Sequence, residues 1–293
     1  MDQVLSATSF IVIYGLSYGV VLFTISVGLV VTMGLMRVVN LAHGAFAAIG
    51  GYIAVKLMSE MNVSFPLSVA IAVLVAAAIS VVIERLFYVH LYKASELDQV
   101  LMTVGLLFLA VASLNLFFGP NALSIKLPEF LAEGVDLFGR SVQSYRLFVI
   151  ACGAALMLIL WFILDLTSFG AKLRAAVDNR GMAEATGINV AQLFSLAFAL
   201  GSGLAAFGGA VGFAILPLEP MYPFKYLTLV LIVVTLSGFG NIKASAVASV
   251  LVGLIETAGR YLFPAFGAFI VYFIVIGILM WRDRRLFLGW VGR

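Results

Sequence analysis

The run Asn40-Leu41-Ala42-His43-Gly44-Ala45-Phe46, followed by Gly50 and Gly51, places an amide, an imidazole and a nearly bare backbone between apolar stretches. Hydrocarbon penalises unpaired polar groups, so such a segment belongs against protein or along a polar route. If a helix restarts within it, the N–H groups of its first turn and the helix dipole favour an anion such as a carboxylate. Asn40, His43 and Gly44 could then line a path for a small polar solute. The same residues also suit a structural, hydrogen-bonded His43 at a membrane–water boundary just after Arg37. The residues alone leave both readings open.

A second candidate is the charged stretch from Asp165 to Asn189, with Gly170, Lys172, Arg174, Asp178, Arg180, Ala183, Glu184 and Gly187. Leu173, Ala176, Val177, Arg180 and Glu184 fall at helical spacing and predict one or two short amphipathic helices ending at Gly187. A charged surface helix can dock a soluble partner, or simply connect two spans. A third candidate is the turn Gly238-Phe239-Gly240-Asn241, preceded by Val234-Thr235-Leu236-Ser237. It echoes Val31-Thr32-Met33-Gly34 before Asn40, and interrupted apolar segments in both halves of a chain point to a transporter site. Glu256 and Arg260, four apart in an apolar block, share a helix face and can pair. Glu84 and Arg85, near the end of another block, are expected at the interface, and Lys225 at a span boundary is expected to snorkel.

Several chemistries have no carrier here. There is no GxxxxGK[ST] to cradle a nucleotide, no HExxH, no GxSxG and no cysteine–histidine cluster. The two histidines, His43 and His90, are far apart, and the single Cys152 rules out an intramolecular disulfide. No metal site, no bound cofactor and no catalytic residues are expected.

The elements that must position these residues are membrane helices. The 293 residues are 63% hydrophobic and 11% charged, with mean hydropathy +1.17. A soluble domain carries about 25% charged residues, so there is too little polar surface to coat a water-soluble globule. Apolar blocks run roughly Phe10–Met36, Val38–Leu57, Pro66–Tyr88, Val100–Phe118, Arg146–Leu164, Val190–Ile215, Tyr226–Phe239, Ala244–Leu262 and Ala265–Trp281. Lengths near 20 residues suit helices that cross a bilayer, whereas a barrel would alternate in segments of about ten. The fold class is therefore all-α and polytopic, one transmembrane domain over 1–293 with about eight to ten spans, some broken or re-entrant.

Net charge +3 reflects bases at helix ends rather than a nucleic-acid surface. Arg37, Arg85, Lys93, the loop at about 165–189 and the tail at about 282–293, with Arg284, Arg285 and Arg293, are expected in the cytoplasm. The acidic loop at about 119–144 is expected outside, giving nine crossings with the N-terminus outside if the first two blocks are simple spans. A cleaved signal peptide is not expected, since Met1-Asp2-Gln3 opens without a basic region. Gly15/Gly19, Gly201/Ala205/Gly209 and Gly208/Gly212 are spaced for close helix packing.

The Asn40–Phe46 run, with Gly50-Gly51-Tyr52 after it, resembles the N-x-A-H-G-x-F…G-x-Y signature of the branched-chain amino-acid permeases, the integral-membrane subunits of high-affinity ABC importers. Gly170…Arg174-Ala175…Asp178…Ala183…Gly187-Ile188 resembles that family's cytoplasmic loop, and Gly238-Phe239-Gly240-Asn241 with Gly253…Glu256 its late glycine motif. Ser237 replaces a glycine common in the family, and Lys243-Ala244-Ser245 a common Pro-Gly-Ala. The resemblance implies an ATP-driven importer subunit for branched-chain or related amino acids in a bacterial inner membrane, with a cytoplasmic C-terminus. Its implied partners are a second homologous permease, two cytoplasmic ATPases that carry the ATP–Mg, and an extracytoplasmic solute-binding protein. Asn40, His43, Gly44, Gly238, Gly240 and Asn241 would line the path. Gly170, Arg174, Asp178, Ala183, Glu184 and Gly187 would couple to an ATPase. An ion-driven transporter using Glu256, or a passive channel for a solute such as urea, are the alternatives.

Overall fold

A computed structural model of the chain describes residues 2–36, 40–92, 94–123, 127–137, 140–238 and 240–282. Arg37, Lys93, Phe239 and the tail bases Arg284, Arg285 and Arg293, on which part of the expected orientation and path rest, lie outside the described residues.

The helices are α1 (Asp2–Met36), α2 (His43–Met61), α3 (Phe65–Ile83), α4 (Val89–Leu91), α5 (Glu96–Phe118), α6 (Glu129–Ala132), α7 (Ser144–Leu166), α8 (Ser168–Asp178), α9 (Arg180–Ala185), α10 (Val190–Gly212), α11 (Tyr222–Ser237), α12 (Ile242–Leu262) and α13 (Gly267–Arg282). A π-helical turn, Glu84–Tyr88, joins α3 to α4. The starts follow local chemistry. Ser95, Asn179, Asn189 and Asn241 each accept the backbone N–H three residues on and cap α5, α9, α10 and α12. Proline occupies the first turn of α3 and α11, where its missing N–H costs nothing.

Six of these helices, or continuations of them, are long and apolar enough to cross a bilayer: α1, α3 with α4, α5, α7, α10 and α12. The shorter α11 and α13, with 16 residues each, and the less apolar α2 bring the helices running through the bundle to nine among the described residues. The first apolar block is one unbroken helix of 35 residues, so the expected interruption lies after it and not inside it. The polar interval at 119–144 is not wholly irregular. It holds α6 and an antiparallel hairpin, β1 (Gly134–Leu137) with β2 (Arg140–Gln143), in which Val135 pairs with Val142.

Burial sorts the spans. The apolar windows of α10 and α1 are 61% and 56% buried, that of α5 only 22%, so α1 and α10 form the axis and α5 stands at the edge. The seams of the axis are glycine. Gly15 and Gly19 of α1 abut Gly253 of α12, Gly28 abuts Gly201 of α10, and Gly209 of α10 abuts the Ala47 carbonyl of α2. In lipid there is no hydrophobic gain from pairing two helices, so close backbone approach and dispersion hold them. The α2 helix completes this logic. Eleven of its residues are buried, among them Gly44, Ala45, Ala47, Ala48, Gly50 and Gly51, because it faces protein and not lipid.

A Cβ on Gly209 would overlap the Ala47 carbonyl, whereas one on Gly105 would meet nothing within 4 Å. Gly209→Leu is therefore expected to cost at least the ~1–3 kcal/mol of an overpacked interior. Gly105→Ala is expected to leave stability unchanged. Melting of the purified chain in detergent, followed by scattering and circular dichroism, compares the two.

Candidate functional site

The α2 helix begins inside the bundle. His43 Nε2 lies 3.2 Å from the carbonyl oxygen of Ile25, about three turns, or about 16 Å, before the end of α1. Gly44 faces the start of α11, where an added Cβ would sit 3.3 Å from the Pro223 carbonyl. Phe224, the next residue, packs with its ring tilted at 5.0 Å from Phe108, close to the middle of α5. Two helix starts thus meet near mid-depth, each presenting its positive dipole end there. Only the first was legible in the sequence; the second was signalled by Pro220 and Pro223, which read as loop residues.

Asn40 and His43 are each 1% exposed. Tyr88 of the π-helical turn donates to Asn40 Oδ1 at 2.6 Å. A carbonyl only accepts, so the Ile25 contact assigns the imidazole proton to Nε2. His43 Nδ1, an acceptor, and Asn40 Nδ2, a donor, have no partner among the described residues. His43 is thus not at a boundary, as the structural reading had it, although it makes the hydrogen bond that reading required. The site thus holds one donor and one acceptor that are not tied off among the described residues.

Gly238, Gly240 and Asn241 form the α11–α12 turn. Gly238 and Gly240 have φ of +74° and +77°, a conformation that L side chains rarely adopt. The Gly240 N–H donates to the Val30 carbonyl of α1 at 3.3 Å, and Asn241 Oδ1 caps α12 through Ala244 N–H at 3.0 Å. Val30 is five residues from Ile25, about 8 Å along α1 and about 140° around it. The two groups of residues expected to line a path therefore meet the same helix on different sides. Gly240 and Asn241 instead border a groove of about 540 Å³ shared with Trp161, Asp165 and Lys243 at the end of α7.

The Asp165–Asn189 stretch folds as α8 and α9, broken at Asn179. Its buried residues are Gly170, Leu173, Ala176 and Ala183. Arg180 and Glu184, expected on that face, are exposed and pair with each other at 2.9 Å, because the cap at Asn179 resets the helical phase. Gly170 lies so close to the Leu164 carbonyl that a Cβ would overlap it. Arg174 Nη1 donates to the same carbonyl at 2.5 Å and lies 3.9 Å from Asp165. Gly170 and Arg174 thus bolt α8 onto the end of α7. Asp178, Met182, Glu184 and Gly187 are exposed, and Gly187 ends the element at φ +84°.

Three sequence expectations change or sharpen. Glu84 is 1% exposed and not at the interface. The π-helical turn carries it inward, where the hydroxyls of Ser195, at 2.8 Å, and Tyr92 donate to it, while Arg85 stays half-exposed 3.6 Å away. Lys225 sits in the first turn of α11 paired with Glu219 at 2.5 Å. Glu256 is buried and binds Arg260 at 2.5 Å, as the spacing predicted. The π-helical turn carries no sequence signal beyond a buried acid at the end of an apolar block.

A family model described as the permease component of branched-chain amino acid transport systems matches residues 11–280. The chain belongs to this family. It is 25% identical over 285 residues to the high-affinity branched-chain amino acid transport system permease protein BraD of Pseudomonas aeruginosa, covering 93% of each chain. It is 22% identical over 281 residues to the corresponding protein LivH of Salmonella typhimurium, covering 91% of each. A probable branched-chain amino acid transport permease protein of Methanocaldococcus jannaschii is 25% identical over 272 residues, 90% of this chain and 85% of that one. No solved structure matches the chain. With its apolar spans, the chain is an integral membrane protein of the permease type.

Tyr88→Phe removes the donor to Asn40 Oδ1 and leaves that oxygen unpaired in a dry site. A loss of about 1–3 kcal/mol is expected, read as a lowered melting temperature in detergent. Tyr261→Phe, at an exposed ring packed 5.3 Å from Phe10, is the control and should shift it little.

Proposed function

We propose that this chain is the transmembrane permease subunit of an ATP-driven importer for branched-chain or related amino acids in a bacterial inner membrane. The observation that carries the reading is a helix start enclosed at mid-depth, together with an exposed two-helix elbow at one end of the bundle. Its relatives are named for branched-chain amino acid transport, and the chain has no nucleotide-binding loop, so the energy is supplied by partners. The partners are two cytoplasmic ATPases that bind ATP–Mg, a second homologous permease and an extracytoplasmic solute-binding protein; this chain binds no cofactor.

In this reading α8 and α9 sit in a cleft of one ATPase on the cytoplasmic side. Movement of the ATPase is passed through Gly170 and Arg174 to α7, and through Val190 onward to α10. Because α10 abuts α1 and α2 through glycine, a shift of α10 moves the start of α2 and opens or closes the route beside Asn40, His43 and Gly44. The solute carboxylate faces the first-turn amides of α2, and its ammonium group faces His43 Nδ1. The helices alternate so that α8–α9, the end of α1 and the α11–α12 turn share one end of the bundle. In this reading the C-terminus lies in the cytoplasm and the hairpin outside. An ion-coupled transporter is less well supported, since Glu256, the acid it would use, is already held by Arg260.

Glu184→Arg is expected to lower uptake at least about tenfold and to weaken ATPase binding in detergent while the bundle's melting temperature stays put; Gly187→Trp, at a φ of +84°, is expected to do the same and to strain the turn as well. Undiminished binding and uptake would reject the docking role. His43→Leu is expected to reduce uptake of the solute with assembly intact, scored by transport in vesicles beside co-purification of the ATPase. Calorimetry of the binding protein against a panel of amino acids, amides and urea fixes the substrate.

A further inference from the structure

The α5 helix leaves a gap. Between it, α2 and α3 runs a groove of about 500 Å³. Its walls, such as Ile49, Ile53, Ile83, Leu106 and Leu114, are apolar, and Lys56 is its single charged residue. The rims Ile79, Leu109 and Phe117 are exposed, so the groove opens sideways to the hydrocarbon. Along α2 it extends from Ala42 to Lys56, about 21 Å, somewhat more than the ~15 Å of one leaflet's hydrocarbon. Its inner end touches Ala45, Phe46 and Tyr88, the residues around the start of α2.

Charge at the outer end is ordered. Lys56 Nζ stands 5.5 Å above the Phe118 ring and 3.6 Å from Glu60, which lies one turn further along α2; both side chains are about half or more exposed, at 47% and 62%. An exposed pair of this kind contributes little and opens readily. Glu60 also lies in the last turn of α2, where the helix dipole disfavours an anion, so it gains from a second cation. Moving outward, the protein presents an apolar channel, then a cation, then an anion.

We infer that this groove is a site for one phosphatidylethanolamine-type lipid. An acyl chain fills the groove, the phosphate meets Lys56, and the primary ammonium meets Glu60. The order of phosphate and amine in that headgroup is the complement of the order of Lys56 and Glu60. A phosphatidylglycerol headgroup offers the phosphate without the amine, and phosphatidylcholine offers an ammonium with no N–H to donate. The bilayer itself supplies the occupant, and the chain end lies against the first turn of α2 at Ala45 and Phe46.

The test is native mass spectrometry of the purified full-length chain in detergent, titrated separately with phosphatidylethanolamine, phosphatidylglycerol and phosphatidylcholine. Phosphatidylethanolamine is expected to bind about tenfold more tightly than the other two. Lys56→Ala should weaken all three, and Glu60→Gln should erase only the ethanolamine preference. Ala110→Trp, which fills the groove, should abolish retention of every lipid. Ser113→Phe serves the same purpose if Ala110→Trp does not fold by circular dichroism. Equal affinity for the three lipids, a preference for phosphatidylglycerol, or retention unchanged in the groove-filling variant would overturn the assignment. So would efficient cross-linking of Ser113→Cys to a second permease chain in the assembled complex, since a protein helix would then occupy the groove.

Discussion

A helix that starts in hydrocarbon exposes up to four N–H groups that no lipid can satisfy, and in α2 those of His43 and Ala45 turn back to the Asn40 and Ala42 carbonyls. The rest of this molecule is arranged around that penalty. The first turn of α2 is enclosed by α1, α10 and α11, and such enclosure requires backbones to approach more closely than side chains normally allow. Glycine seams at Gly28 with Gly201 and at Gly209 with Ala47 provide the approach. The polar residues nearest the break are tied off only in part, by Ile25 and Tyr88. What is left unpaired at Asn40 and His43 is the chemistry with which the site can act.

The second constraint is mechanical. The elbow of α8 and α9 is fastened to α7 by a glycine contact and an arginine hydrogen bond, and it leads into α10 across the short connection 186–189, closed by the Asn189 cap. The lower turns of α10 carry Phe194, Ser195 and Phe198, which meet Tyr92, Glu84 and Tyr88 of the widened turn after α3. Tyr88 in turn holds Asn40. A continuous packed route therefore runs from the exposed elbow to the enclosed helix start. Any displacement of the elbow relative to the start of α2 has to respect these contacts.

Much of this was legible in the residues. The apolar blocks gave the number and class of the spans because lipid burial imposes length and composition directly. The Asn40–Gly51 run marked the break because amide, imidazole and glycine together are out of place in hydrocarbon. The Gly170 and Gly187 positions bounded the elbow. What stayed hidden depended on depth and phase. Nothing in the spelling of α2 says how far it is drawn back along α1, and the phase reset at Asn179 moved Arg180 and Glu184 to the outside. The inward turn of Glu84 arises from one extra residue in a helical turn, which leaves no pattern in sequence. Gly238, Gly240 and Asn241 were recognised as a motif, yet their local duties as turn and cap, and their distance around α1 from His43, follow only from the fold.

The modest hydropathy of α2 has a consequence for how the protein is made. A segment with His43, Lys56 and Glu60 in it partitions poorly into a bilayer by itself. The helices that cover its small-residue faces, α10 and α11, emerge from the ribosome far downstream. During synthesis, then, α2 must be sheltered by the insertion machinery or sit at the surface until its later neighbours arrive. The core of the mature protein is the last part to be assembled.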